Sequence, residues 1–246
     1  MMEIFDRTEE IGLLRARLAA RKSVLVHGPS GVGKTLLLVY VLPEFPHALY
    51  CPSTPSSQVV FKRLAELLAA RKDPTVAKIC RGRTDTLLSK SSISLKGIVT
   101  DALRAGKYVL VLDHLNQPSQ SFATMVREVV WLCSTPVIAV ARSAHMEDAG
   151  FVAPLLSDRS ERLAIRNFGA ESAAGFAERV VSQKHLVATN LKAVVDNIVE
   201  CSDGNPGAIV HMIEMAGQTK YRSKDHIKWS PLYIDFRMEW ATANAN

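Results

Sequence analysis

A chain of 246 residues is long enough for one large α/β domain with a small second one, and it needs neither disulfides nor metals to hold a core. An apolar fraction of 48% and a charged fraction of 22% exclude disordered and fibrous classes. The net charge of +6 is scattered along the chain, so it permits contact with nucleic acid without requiring it. Cys51, Cys80, Cys133 and Cys201 lie far apart with no C-x-x-C pair. That spacing suggests neither a zinc site nor a disulfide framework and reads as buried free thiols in a reducing compartment. The start carries no basic segment followed by an apolar one, and no apolar run reaches membrane-span length. The expectation is a cytoplasmic protein without membrane contact.

In chain order, residues 8–21 read as an amphipathic helix, with Ile11, Leu14 and Leu18 on one face and Asp6 as its N-cap. An apolar strand over 23–27 leads into Gly28-Pro29-Ser30-Gly31-Val32-Gly33-Lys34-Thr35, which fits G-x-x-x-x-G-K-[ST] at every fixed position. The glycines let successive backbone N–H groups face inward, and the helix that follows adds the positive end of its dipole, so the turn favours a polyphosphate. Lys34 would reach the β- and γ-phosphates, and the Thr35 hydroxyl would take one position on Mg²⁺.

Residues 35–42 are apolar all round, which predicts a helix buried on every side and ended by Pro43 and Pro46. A strand is expected over 47–51. A helix over 57–71 should carry Val60, Leu64, Leu67 and Leu68 on one face. The polar stretch 72–92, with Lys78, Arg81, Arg83 and Lys90, reads as a solvated linker or an exposed excursion that touches a partner or DNA. After a helix over 93–105 comes Tyr108-Val-Leu-Val-Leu-Asp113-His114. Four apolar residues followed by Asp are how a fully buried parallel strand delivers a carboxylate to its C-terminal edge, beside the phosphate turn. Asp113 is therefore a second candidate for Mg²⁺. His114 could accept a proton as a general base, orient water, or be structural.

A helix over 120–133 and a buried strand over 135–141 end at Arg142. Leu163 and Ile165 give a short strand signal, with Arg159 and Arg162 ahead of and within it. Residues 170–183, 188–201 and 206–217 read as three helices, the last opened by Pro206 in its first turn. Residues 220–240 interleave Tyr221, Trp229, Tyr233, Phe236 and Trp240 with Arg222, Lys224, Lys228 and Arg237. Those side chains could form a nucleic-acid or partner surface, or fold back over the preceding helices. Residues 241–246 are expected to fray.

The phosphate turn, the segment Phe5-Asp-Arg7-Thr-Glu-Glu10-Ile11 and the junction Gly204-Asn205-Pro206 together resemble P-loop ATPases of the AAA+ group and its STAND relatives. That resemblance covers about residues 4–217. It implies a doubly wound parallel sheet of strand order 5-1-4-3-2 in residues 1–168, a helical lid in 169–219 and an extension in 220–246. It implies ATP with Mg²⁺ as the ligand, Phe5, Arg7, Ile11 and Pro206 around the adenine, and Arg142 reading the γ-phosphate. It makes Arg159 or Arg162 a candidate arginine finger for a neighbouring subunit, while no sensor arginine stands in 204–217. In AAA+ members a glutamate usually follows the strand-end aspartate, so His114 is a departure. The functions implied are a slow ATPase whose lid switches a partner, an oligomeric ATPase associated with DNA, or a nucleotide-gated binding protein without significant hydrolysis.

Overall fold

Strands buried on both faces need helices on both sides, and that requirement sets the architecture. The computed structural model describes residues 4–80, 84–156 and 162–244. Strands β1 (Val24–His27), β2 (Ala48–Cys51), β3 (Val109–Leu112), β4 (Val137–Ala141) and β5 (Arg162–Ala164) form one sheet of order β2-β3-β4-β1-β5. Every pair in it is parallel. Read from the other edge this is the expected 5-1-4-3-2 order. The register puts Cys51 beside Leu112 and Leu112 beside Ala139, so β2 and β3 end level and β4 runs two residues further.

Alternation along the strands supplies two cores. Val109 and Val111 of β3 face helices α1 (Thr8–Ala19) and α2 (Lys34–Val41). Leu110 and Leu112 face the opposite layer, built from α3 (Ser57–Ala70), α4 (Pro74–Cys80), α5 (Thr84–Leu88), α6 (Ser92–Ala105) and α7 (Gln120–Leu132). A short helix, α8 (Met146–Ala149), and a 3-10 segment, Gly150–Leu156, close that layer. Among the described residues no helix is long and apolar enough to cross a membrane.

The third core lies beyond the sheet. Helices α9 (Ala170–Gln183), α10 (Leu191–Cys201) and α11 (Pro206–Ala216) pack together as the helical periodicity requires. A hairpin, β6 (Arg222–Ser223) with β7 (His226–Ile227), and helix α12 (Trp229–Asn244) pack onto them. Tyr221, Ile227, Leu232 and Phe236 are buried in the same core. The aromatic side chains of the last segment thus fold back over α9, α10 and α11, and α12 stays helical through the stretch expected to fray from residue 241 to Asn244.

Four expectations are corrected. Asp6 does not cap α1: it adopts a left-handed φ of 45°, and Arg7 occupies the cap position without a side-chain hydrogen bond. Helix α2 is not buried all round, since Leu36 and Val39 are 41% and 45% exposed while Leu37, Leu38 and Val41 are buried. Residues 72–92 are not a linker throughout. Val76 and Leu87 are buried in the core beneath α3 and α6, and α4 is started by the buried Asp73, whose Oδ1 accepts from the N–H groups of Thr75 and Val76. Tyr108 donates to the other oxygen at 2.8 Å. The buried carboxylate is satisfied by donors on both oxygens, while Val76, Ile79, Leu87 and Leu88 carry the apolar contacts of α4 and α5. Arg81 and Arg83 lie outside the described residues. Finally, Cys51 and Cys133 are buried free thiols, but Cys201 is exposed.

Candidate functional site

The phosphate loop runs from the end of β1 into α2. Gly31 and Gly33 hold φ of 78° and 98°, a left-handed backbone that only glycine adopts without strain, and Gly33 is the residue from which α2 starts. The Gly28 N–H donates to the Arg142 carbonyl at 3.1 Å, fixing the loop to the end of β4. Val32 is buried in the core under α1. Lys34 Nζ donates to the carbonyls of Gly28 at 2.7 Å and Pro29 at 2.9 Å, so its ammonium lies inside the curve of the loop. Burial lowers its pKa to about 8, against the raising effect of Asp113 and with a further lowering from Arg142.

The strand-end carboxylate meets the loop directly. Asp113 is 1% exposed; its Oδ2 accepts from the Thr35 hydroxyl at 2.9 Å and the Tyr50 hydroxyl at 2.9 Å, and its Oδ1 from the His114 N–H at 2.8 Å. Burial, then the bond to Asp113, raises the Tyr50 pKa. His114 holds a left-handed φ of 54°, which leaves its ring 67% exposed with Nε2 3.3 Å from Thr35 Oγ1 and 3.7 Å from Asp113 Oδ2. The Thr54 hydroxyl lies 3.3 Å from the carbonyls of Asp113 and His114 and steadies that bend.

Lys34, Thr35, Asp113, His114 and Arg142 together line a cavity of about 500 Å³, with Ser30, Gly31 and Gly33 at its rim. Thr35 and Asp113 bring a hydroxyl and a carboxylate together, the hard oxygen donors that Mg²⁺ takes. Among the described residues no group of three or more His, Cys, Asp or Glu side chains could hold a metal alone. A second cavity of about 650 Å³ lies on the lid side of the loop and includes Pro206. Gly31, Gly33 and Leu36 line both.

The N-terminal segment is placed differently. Phe5 packs in an aromatic trio with Phe168 and Phe176, at centroid distances of 5.8 and 5.6 Å. Ile11 lies in the core, and neither residue lines the two cavities. Arg7 is a buried clamp: it pairs with Glu10 at 2.8 Å, donates to the carbonyls of Arg166 at 2.7 Å and Val32 at 3.4 Å, and lies over the Phe168 ring. It thereby ties the loop, the exit of β5 and the start of the lid. Arg162 stands at the start of β5, paired with Leu25 and bonded through Nε to the Leu156 carbonyl, away from the cavity. Arg159 lies outside the described residues.

Sequence reasoning missed three contacts. Tyr50 could have been found by aligning the ends of β2 and β3, since in a parallel pair its partner is Val111 and the next residue on that face is Asp113. Asn205 donates to the Ser30 carbonyl at 2.8 Å while its Oδ1 caps α11 through the Ala208 N–H at 3.2 Å. Gly207 donates to the Gly31 carbonyl at 3.0 Å, and a β-carbon there would lie 2.8 Å from Gly31 Cα. The start of α11 therefore latches onto the tip of the phosphate loop.

A comparison with curated proteins yields no significant match. Among solved structures, the Walker-type ATPase PABY2304 of Pyrococcus abyssi is similar with a TM-score of 0.65 at 17% identity, over 98% of this chain and 73% of that one. The STAND protein with a tetratricopeptide repeat sensor PH0952 of Pyrococcus horikoshii is similar with a TM-score of 0.52 at 13% identity. That match covers 97% of this chain but 33% of the longer protein. At such identities both likenesses establish the fold. The model of the AAA ATPase domain family matches residues 3–136. Because this match begins ahead of the Arg7 clamp and ends beyond Asp113, it spans the whole unit from N-terminal segment to strand-end aspartate, and on it the chain belongs to the AAA ATPase domain family.

Proposed function

We propose that the chain binds ATP with Mg²⁺ and hydrolyses it slowly, and that the nucleotide controls how the lid sits on the phosphate loop and thereby the binding of a partner. The observation that carries this reading is the 2.9 Å contact between the Thr35 hydroxyl and the buried Asp113 carboxylate beside an inward-facing Lys34. The Lys34 ammonium, now satisfied by two loop carbonyls, would exchange them for phosphate oxygens, and the loop N–H groups would hold the rest. Thr35 and Asp113 would hold Mg²⁺, which when bound neutralises charge on the β- and γ-phosphates. Arg142, at the end of β4, would read the γ-phosphate.

His114 would orient the attacking water or take its proton at Nε2, the atom that faces Thr35. Asp113 is the one carboxylate among the described residues lining this cavity, and both its oxygens are engaged. That favours a second reading, a nucleotide-gated switch with negligible turnover. Self-association with Arg162 or Arg159 donated across subunits, with or without DNA, is the remaining alternative.

Phosphate release from MgATP, with Lys34→Ala as the blank, tests the assignment. The wild type should release phosphate slowly but above the blank, and His114→Glu should raise the rate several-fold by restoring a carboxylate. Release that rises faster than linearly with protein concentration, and further with duplex DNA, would favour the assembled form. A wild-type rate equal to the blank, with ATP still bound, would leave the switch.

A further inference from the structure

We propose that Trp240, on the C-terminal helix α12, is the ring against which the base of the nucleotide lies, in the second cavity beside Pro206. This rests on the assignment of the first cavity to the phosphates. The two cavities are continuous along the loop, sharing Gly31, Gly33 and Leu36, so one ligand can span both. Charge sorts its ends. Lys34 and Arg142 line the first cavity, whereas no lysine or arginine among the described residues lines the second, and Glu214 and Glu239 stand there instead. Glu214 pairs with Lys184 at 2.6 Å and Glu239 with His211 at 3.0 Å, so that end offers little positive charge to hold a polyphosphate, and an uncharged ring suits it better.

The walls suit a flat aromatic. Leu36, Phe176, Pro206, Val210 and Trp240 supply apolar surface around about 650 Å³, within the roughly 300–1,000 Å³ typical of small-molecule sites. Leu36 is a large apolar side chain left 41% exposed in the first turn of α2, and a base over it would remove that surface from water. Trp240 is held from behind by Phe236, itself buried, at a centroid distance of 5.4 Å. Its ring reaches the loop: a β-carbon on Gly31 would lie 3.0 Å from Trp240 Cη2. His211, 3.0 Å from Glu239, lies beside it with ring centroids 6.3 Å apart. Trp240 is thus a binding residue contributed by a helix outside the matched family region, residues 3–136.

The test compares ATP with inorganic tripolyphosphate, which carries the charge without the base, by calorimetric titration of the full chain and its Trp240→Phe and Trp240→Ala variants. Loss of one base–aromatic stack weakens binding roughly 5- to 150-fold. Trp240→Ala should bind ATP about tenfold more weakly, Trp240→Phe less so, and both should bind tripolyphosphate as the wild type does. Unchanged ATP affinity in Trp240→Ala, with Lys34→Ala still weakening binding about thirtyfold or more, would overturn the base assignment alone. Parallel weakening of both ligands would also overturn it, because Trp240 would then act only through the fold. A wild type that binds neither ligand would remove the phosphate assignment and this one with it.

Discussion

Asn205 joins the lid to the phosphate loop, and replacing it separates two contributions. The side chain is 6% exposed. Its Oδ1 accepts from the Ala208 N–H, capping α11, and its Nδ2 donates to the Ser30 carbonyl at 2.8 Å and, more weakly, to Asn167 at 3.3 Å. Loss of the cap costs about 1 kcal/mol. Loss of a hydrogen bond that leaves a part-buried carbonyl without its donor costs about another 1 kcal/mol. Asn205→Ala should therefore lower stability by about 2 kcal/mol, or about 4–8 °C in Tm for a chain of this size. Asn205→Ser keeps an oxygen for the cap but cannot donate to Ser30 at that reach, so about half the loss should return. Urea unfolding followed by tryptophan fluorescence is the assay, since Trp229 and Trp240 both pack on the lid core. An Asn205→Ala transition within about 0.5 kcal/mol of the wild type, the range of an uninvolved surface change, would refute the latch.

Gly207→Ala should lift the start of α11 from the loop, because both atoms its β-carbon would meet within 3.0 Å are backbone atoms of Gly31. Amide hydrogen exchange should then quicken over residues 204–210 and not in α9, and equal protection would contradict the close approach. The lowered pKa of Lys34, about 8, gives ADP binding without metal a defined pH dependence. Phosphate favours the protonated amine, so its pKa is higher in the complex. Affinity is then complete below about pH 8 and falls as pH rises through that value, approaching about tenfold per unit. Equal affinity at pH 7 and pH 9 would show that Lys34 does not meet the phosphates.

The parts of the site that are local in sequence were legible. A glycine-rich turn between strand and helix is one contiguous code, and Asp113 follows four apolar residues that only a doubly covered strand explains. The long-range contacts were not, because each joins residues distant in the chain: Arg7 to Arg166 and Asn205 to Ser30 toward the C-terminal helices, and Tyr50 to Asp113 within the site. Arg7 shows the difference. The family resemblance implied a wall for adenine, and the structure places Arg7 as a buried clamp with three partners. Helices α4 and α5 were obscured by the polar residues around them, since each is too short to show a full apolar stripe and buries only a few side chains such as Val76 and Leu87. Leu36 misled in the opposite direction, being apolar and exposed where it borders both cavities.

The central claim is that the loop from Gly28 to Thr35 holds the phosphates of a nucleotide. Calorimetric titration of MgATP into the wild type and Lys34→Ala tests it most directly. The account expects saturable binding to the wild type and a loss of about 2 kcal/mol or more, at least about thirtyfold, in the variant, as removal of a charged hydrogen-bond donor requires. Equal affinities in the two proteins would contradict it.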